Sequence, residues 1–247
     1  MKVLTMSQHC IDGSANPDWL DARAGLFTGS DFHQYMPLLK TGKLSETAKK
    51  ALYKKVLENY GYRFNTFQTP EMLIGIEREP IAREAYSFIY GKQVEEVGFV
   101  DLEKYHAGCS PDGVIYGVDM VKTEPRTITI VNKKTGKTTD VIDDIGYKKR
   151  ITEIIEIKCP SVETFVSYLD DEFMKPEYET QMQFNMFVTG ADVCHFVVYH
   201  PDFNLIVRDV EKNPEIQDKI KKVLEELSVM YDDLDGKVRE KRLETEC

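Results

Sequence analysis

Residues 154–159 read Ile-Ile-Glu-Ile-Lys-Cys, an acid and a base set inside an apolar run. β-branched residues in succession predict a strand, in which successive side chains point to opposite faces. Glu156 and Lys158 then share one face, with Ile155, Ile157 and Cys159 on the other. Upstream stands Ser110-Pro111-Asp112-Gly113. Pro111 fixes one backbone angle and Gly113 permits an unusual one, so a sharp turn can aim Asp112 inward at the head of a strand from Val114. Two carboxylates on neighbouring strands suit one or two hard divalent cations, which prefer oxygen ligands and leave positions open for water and a phosphate oxygen. Such ions polarise a phosphodiester and lower the pKa of a bound water. A lysine alongside positions that water or shares the charge of the transition state. The backbone carbonyl of Ile157 is an extra oxygen donor. Taken singly, Glu-x-Lys is also a surface ion pair and Asp112 an ordinary turn residue; their combination is what points to metal-dependent phosphodiester hydrolysis.

Several elements must hold these residues in place. Pro17–Met36 suggests a short helix around Trp19–Ala24, a turn, and a second helix capped by Thr28 or Ser30. Apolar spacing over Ser45–Tyr60 predicts an amphipathic helix with a lysine-rich outer face, ending at Gly61. Pro70–Tyr90 is again helical in period, with Leu73, Ile81, Ala85, Phe88 and Ile89 as the expected buried stripe and Pro80 as a kink or restart. Strand-like runs follow at 94–100, 105–118 and 127–132. Residues 117–152 read as a hairpin excursion with Lys-Thr-Gly-Lys at its tip. After the Glu156 strand come a helix near 161–170, another over Pro176–Thr189, two strands, and a charged helix from Pro214 to about Leu234. The class is α/β or α+β, a central mixed sheet flanked by helices. One domain over 1–247 is expected, with a lead-in at 1–16, the inserted hairpin, and a C-terminal helix and tail at 213–247.

At 247 residues and 42% hydrophobic content the chain can bury a substantial core. Its formal charge of −10 argues against a simple basic nucleic-acid binder, but not against an enzyme whose metals supply positive charge locally. Any DNA channel must be locally basic beneath an acidic exterior. The five cysteines are scattered and form no C-x-x-C pair, which indicates neither a disulfide framework nor zinc nor an iron–sulfur cluster, and suggests a reducing cytoplasm. No segment has the apolar length to span a bilayer.

A series of motifs then occurs in one order: W-x3-R-x-G-x2-T-x-S (Trp19, Arg23, Gly25, Thr28, Ser30), G-x3-E (Gly75, Glu79), C-S-P-D-G, E-I-K-C-P and Q-x-Q (Gln181, Gln183). Over roughly residues 17–200 this resembles the lambda exonuclease family, the YqaJ-like viral recombinases, within the PD-(D/E)XK nucleases. The resemblance implies a phage- or prophage-encoded 5′→3′ exonuclease acting on linear duplex DNA and leaving a 3′ single strand for an annealing protein. It implies a trimeric ring and two Mg²⁺ ions, with Mn²⁺ as the other candidate. Carried onto matching positions, Asp112, Glu156, Glu79 and the Ile157 carbonyl hold metal, and Lys158 is the base or water-orienting residue. Gln183 stands near the nucleophilic water. Arg23 and Ser30, with Thr28 and Gln181, contact the 5′ phosphate and DNA. A physical reason accompanies the phosphate assignment: arginine grips phosphate through parallel donors, and a helix start favours an anion. Without the resemblance, Arg23 reads as a solvated helix charge. A restriction-like endonuclease and a silent DNA-binding module are the competing readings.

Two departures from the family pattern stand out. The excursion at 117–152 lengthens the path from Asp112 to Glu156, which loop entropy tolerates. Its Lys133, Lys134, Lys137 and the run Lys148–Arg150 are expected to be solvated. Pro80, directly after Glu79, can shift that carboxylate.

Overall fold

Local chemistry writes most helix starts. Asn16, Ser45, Thr69 and Ser161 each accept, through a side-chain oxygen, the amide hydrogen of a residue in the first turn that follows. The computed structural model describes residues 1–10, 14–64, 69–131, 138–169 and 175–243, with backbone only for 121–123, 125–131, 138–147 and 243. In chain order its elements are β1 (Lys2–Leu4), α1 (Pro17–Arg23), β2 (Phe27–Thr28), the single turn α2 (Gly29–Phe32), α3 (Leu38–Thr41), α4 (Glu46–Glu58) and α5 (Pro70–Tyr90). There follow β3 (Phe99–Leu102), β4 (Ala107–Cys109), β5 (Gly113–Val131), β6 (Thr138–Lys158), α6 (Val162–Ser167), α7 (Pro176–Thr189), β7 (Val193–Val198), β8 (Ile206–Glu211) and α8 (Pro214–Leu243).

The strands form two mixed sheets, β1-β3-β4-β2 and β5-β6-β7-β8, where one central sheet was expected. The Ser110–Asp112 turn divides them, because Pro111 has no N–H to give a ladder. Asp112 thus sits at the seam. In the larger sheet β5 and β6 are antiparallel, β6 and β7 parallel, and β7 and β8 antiparallel, the parallel pair being joined through α6 and α7. The excursion is the outward run of the β5–β6 hairpin itself, paired from Gly113↔Ile155 to Val131↔Thr138 with register shifts between Ile115 and Tyr116 and between Lys122 and Arg126. The expected Lys-Thr-Gly-Lys tip, with Lys133, Lys134 and Lys137, lies outside the described residues. At the hairpin base Lys149 pairs with Glu95 at 3.0 Å, and Arg150 bridges Asp119 and Asp192.

One face of the larger sheet is covered by α7 and α8. Ile154, Phe184, Met186, Phe196, Val223 and Leu227 pack there into the main core. The other face carries α5 over Ile115, Ile155, Ile157 and Val197. Helix α8 is longer than its sequence suggested, reaching Leu243, and it packs on its own chain through Ile220, Leu224 and Tyr231.

Helix α5 continues through Pro80 without a restart, and it corrects the sequence reading of its face: its buried residues are Ala82 and Tyr86 rather than the expected stripe. Leu73, Ile81, Phe88 and Ile89 are exposed, Phe88 at 90%. The apolar period is real, but those residues face away from the sheet. Among the described residues no helix is long and apolar enough to cross a membrane.

Candidate active site

Alternation along β6 turns Ile155 and Ile157 toward α5 and Glu156 toward α7. Glu156 is almost wholly buried, at 2% exposure, which is costly for a carboxylate without partners. Three donors meet it. Lys158 Nζ and Gln181 Nε2 donate to Oε1 at 2.5 and 2.7 Å, and Asn185 Nδ2 reaches Oε2 at 3.4 Å. Gln181 and Asn185 lie four residues apart on α7 and so present one face.

Asp112 is fixed from both ends of its residue. Its amide donates to the Ile155 carbonyl at 3.1 Å, and its Oδ2 accepts the Ile157 amide hydrogen at 2.6 Å. Arg83 on α5 ties in the third carboxylate: its Nε donates to the Asp112 carbonyl at 2.5 Å, and its NH2 group pairs with Glu79 at 2.6 Å. Burial, then the charges of Glu156 and Glu79, push the Asp112 carboxyl well above the usual carboxylate range. Burial also raises Glu79, against the pull of Arg83. Lys158 goes the other way: burial would lower it, but Glu156 and Asp112 outweigh burial and hold the ammonium more tightly protonated. Its charge also lies 5.1 Å from the centre of the Tyr178 ring.

At the opposite wall, Trp19 is anchored by its indole N–H, shared between the Gly98 carbonyl at 3.0 Å and Ser110 Oγ at 2.8 Å. Arg23 lies over the Trp19 ring at 4.3 Å, and its guanidinium approaches Thr28 Oγ1 at 3.4 Å. Gly25 makes the turn between them. Its φ is +75°, its N–H donates to Glu58 at 2.8 Å, and an added Cβ would meet Asn59 at 2.3 Å. Ser30 is exposed and Thr28 buried. Helix α2 is a single turn, too short to carry much dipole, so an anion here relies on Arg23 and the hydroxyls.

A groove of about 1570 Å³ joins the two walls. Glu79, Asp112, Glu156, Ile157, Lys158 and Gln181 line it together with Arg23, Thr28 and Ser30. The exception is Gln183, buried on the opposite side of α7. Its Nε2 donates to the Glu211 carbonyl at 2.8 Å, and its Oε1 accepts from Asn213 N and Gln217 Nε2 at 3.0 and 2.9 Å. Two residues is about 200° on a helix, so only one glutamine of the pair can face β6, and it is Gln181. Arg83 and Asn185 are the site residues that motif reading missed; each lies four positions beyond a recognised one. Cys159 also lines the groove, and burial with the nearby Glu79 and Asp112 charges pushes its thiol up to about 12.

In kind, the donor set fits an oxygen-preferring divalent cation. Three carboxylates repel one another here, and the rise in Asp112 records charge that a cation would relieve. As the side chains stand, protein donors hold each carboxylate, and among the described residues no three acidic, His or Cys groups form a ready ligand cluster.

Fold and site together place three carboxylates and a lysine at the seam of two mixed sheets, in one groove with an arginine and two hydroxyls. The sequence matches the YqaJ-like viral recombinase domain over residues 18–192, and the chain belongs to that family. Three solved structures share the fold. The alkaline exonuclease LHK-Exo of Laribacter hongkongensis is 24% identical with a TM-score of 0.62, covering 91% of this chain and 99% of its own. LHK-Exo in complex with dAMP gives 22% and 0.67, covering 93% and 100%. A phage-related exonuclease of Haemophilus somnus gives 18% and 0.56, covering 86% and 96%. No curated protein matches the sequence.

Proposed function

We propose that this chain is a Mg²⁺-dependent 5′→3′ exonuclease that shortens one strand of linear duplex DNA from a phosphorylated end, leaving 3′ single strand for recombination. The observation carrying this reading is that one groove holds both the Asp112–Glu156–Lys158 cluster and the Arg23–Thr28–Ser30 wall. Lys50, Lys54, Lys55 and Arg63 also line this groove, Lys55 paired with Glu58 and Arg63 with Asp21, and they set cations beside its carboxylates on a chain of charge −10. LHK-Exo, which shares the fold, is described as an alkaline exonuclease.

Asp112, Glu156, Glu79 and the Ile157 carbonyl would hold the cations, which when bound polarise the phosphodiester and acidify a coordinated water. In the metal-free protein Glu156 and Asp112 keep Lys158 as an ammonium against the effect of burial. Lys158 acts by holding charge and orienting water beside the carboxylates. Gln181 takes the role that motif reading gave Gln183, because it shares Glu156 with Lys158. Arg23 stays cationic despite burial, which lowers its pKa against the pull of Asp31 and Glu58.

The test compares linear duplexes with 5′ phosphate or 5′ hydroxyl and closed circular DNA, each with Mg²⁺ or EDTA. Metal-dependent loss of one strand, fastest from the phosphorylated end and absent on circles, is expected. Cut circles would mean an endonuclease instead, and no cleavage of any substrate a silent binding module.

The reading includes self-association, supported by the exposed Leu73, Ile81, Phe88 and Ile89 of α5. A Phe88→Asp substitution is expected to lower the oligomeric mass in light scattering without lowering the melting temperature of the monomer. An unchanged mass would remove α5 from the interface.

A further inference from the structure

Asn185 is a buried amide, at 2% exposure, whose two ends meet two different parts of the groove. Its Nδ2 reaches Glu156 Oε2 at 3.4 Å. Its Oδ1 lies against Gly29, where an added Cβ would stand 2.4 Å from Oδ1, 3.3 Å from Asn185 Cγ and 3.3 Å from the Gln181 carbonyl. Gly29 is flanked in sequence by Thr28 and Ser30. The glycine is therefore required by close approach, and what approaches is the amide that also touches the catalytic acid. The surrounding packing is tight: Phe32 of α2 and Phe184 of α7 lie 4.5 Å apart between ring centres. Within α7 the backbone carbonyl of Asn185 accepts from the Thr189 hydroxyl at 2.8 Å.

A buried aliphatic side chain of similar volume would fill the same space without desolvating an amide. We infer that Asn185 is a positioning residue that sets the spacing between the terminal-phosphate wall and Glu156, and so makes turnover depend on the 5′ phosphate. The planar amide has no internal freedom between its two ends. A phosphate gripped by Arg23 and Ser30 therefore holds the strand at a fixed offset from the carboxylates. Losing that offset costs rate at the chemical step, since misplacement of about 1 Å lowers turnover by roughly 10²-fold. Binding, carried by Arg23 and the lysines of the groove wall, changes less.

This inference rests on the reading of Arg23, Thr28 and Ser30 as a phosphate wall. The experiment measures kcat and KM of the full chain with Mg²⁺ on 5′-phosphorylated and 5′-hydroxyl duplexes, for the wild type, Asn185→Leu, Gly29→Ala and the double variant. Asn185→Leu keeps the branching of the side chain, adds some bulk and removes both polar ends; Gly29→Ala pushes on the amide, and more weakly on the Gln181 carbonyl, from the phosphate side. Each single substitution is expected to cut the ratio of kcat between the two substrates by about 10-fold or more, with KM moving by less than about 3-fold, and the double variant should do no worse than the stronger single. Equal slowing on both substrates would overturn the inference, since Asn185 would then serve Glu156 alone. A wild type with no preference for phosphate would instead bring down the phosphate-wall reading, and the inference with it. Should Asn185→Leu fail to fold by circular dichroism, the ratio for Gly29→Ala decides alone.

Discussion

Replacing Asp112 with asparagine is expected to lower cleavage by about 10³-fold or more while making the metal-free protein more stable. Both effects come from one cause. In the metal-free protein burial at the seam between the two sheets raises the Asp112 carboxyl, and the charges of Glu156 and Glu79 raise it further. An asparagine side chain in its place can still accept the Ile157 N–H but brings no charge. Removing a repulsive, functionally placed charge typically stabilises by about 0.5–2 kcal/mol. For a chain of this size that is roughly 1–8 °C in melting temperature. The pH dependence fixes the sign. Between the ordinary carboxylate range and the raised value of folded Asp112, the native state holds a proton that the unfolded chain has released. Stability therefore declines as pH rises through that window, and Glu79 acts in the same direction. Thermal melts in EDTA from about pH 5 to about pH 8 should show this decline in the wild type and a shallower one in Asp112→Asn. Adding Mg²⁺ should raise the wild-type midpoint, by preferential binding to the native state, and leave the variant nearly unmoved. A variant no more stable than the wild type in EDTA would mean that the carboxylates do not repel as the geometry requires.

The same crowding explains what was legible in the sequence. Strand alternation alone put Glu156 and Lys158 on one face, and the Pro-Asp-Gly turn put Asp112 at a strand head, because both rules are local. Helices over Ser45–Tyr60, Pro70–Tyr90 and Pro176–Thr189 were legible for the same reason. Burial on α5 was not. Leu73, Ile81, Phe88 and Ile89 form as regular a stripe as any buried face, and only the packing of Ala82 and Tyr86 on Ile155 reveals which stripe meets the sheet. Periodicity gives a face but not its partner. The choice between Gln181 and Gln183 failed in the same way: one lies opposite β6 and the other opposite the start of α8, a matter of helix rotation set by tertiary contacts. Asn185 and Arg83 carry no motif, but both follow from asking which residues one turn away share a face with a recognised one.

Lys158→Ala is the other large effect, and its value lies in how it combines with Glu156→Gln. In the proposed mechanism Lys158 holds charge beside the reacting phosphate, so its loss should reduce kcat by about 10²–10⁴-fold. It also leaves the Glu156 carboxyl, 2% exposed, with Gln181 and Asn185 as its remaining side-chain donors. Breaking a buried pair from one side typically costs about 3–5 kcal/mol, because the remaining charge has lost its counter-ion. Because the Lys158 side chain is 25% exposed, water offsets part of that, and a loss nearer the lower end is expected in urea unfolding. Glu156→Gln on its own strands the ammonium instead, though Asp112 remains to meet it. In the double variant both charges are gone and the introduced glutamine amide can still meet Gln181, so much of the lost stability should return while activity does not. Non-additive stability with fully lost activity is the signature of a pair whose electrostatics are retained for catalysis rather than for folding. If the double variant is as unstable as the sum of the singles, Lys158 and Glu156 are not coupled, and the ammonium must be placed by Tyr178 and Asp112 instead.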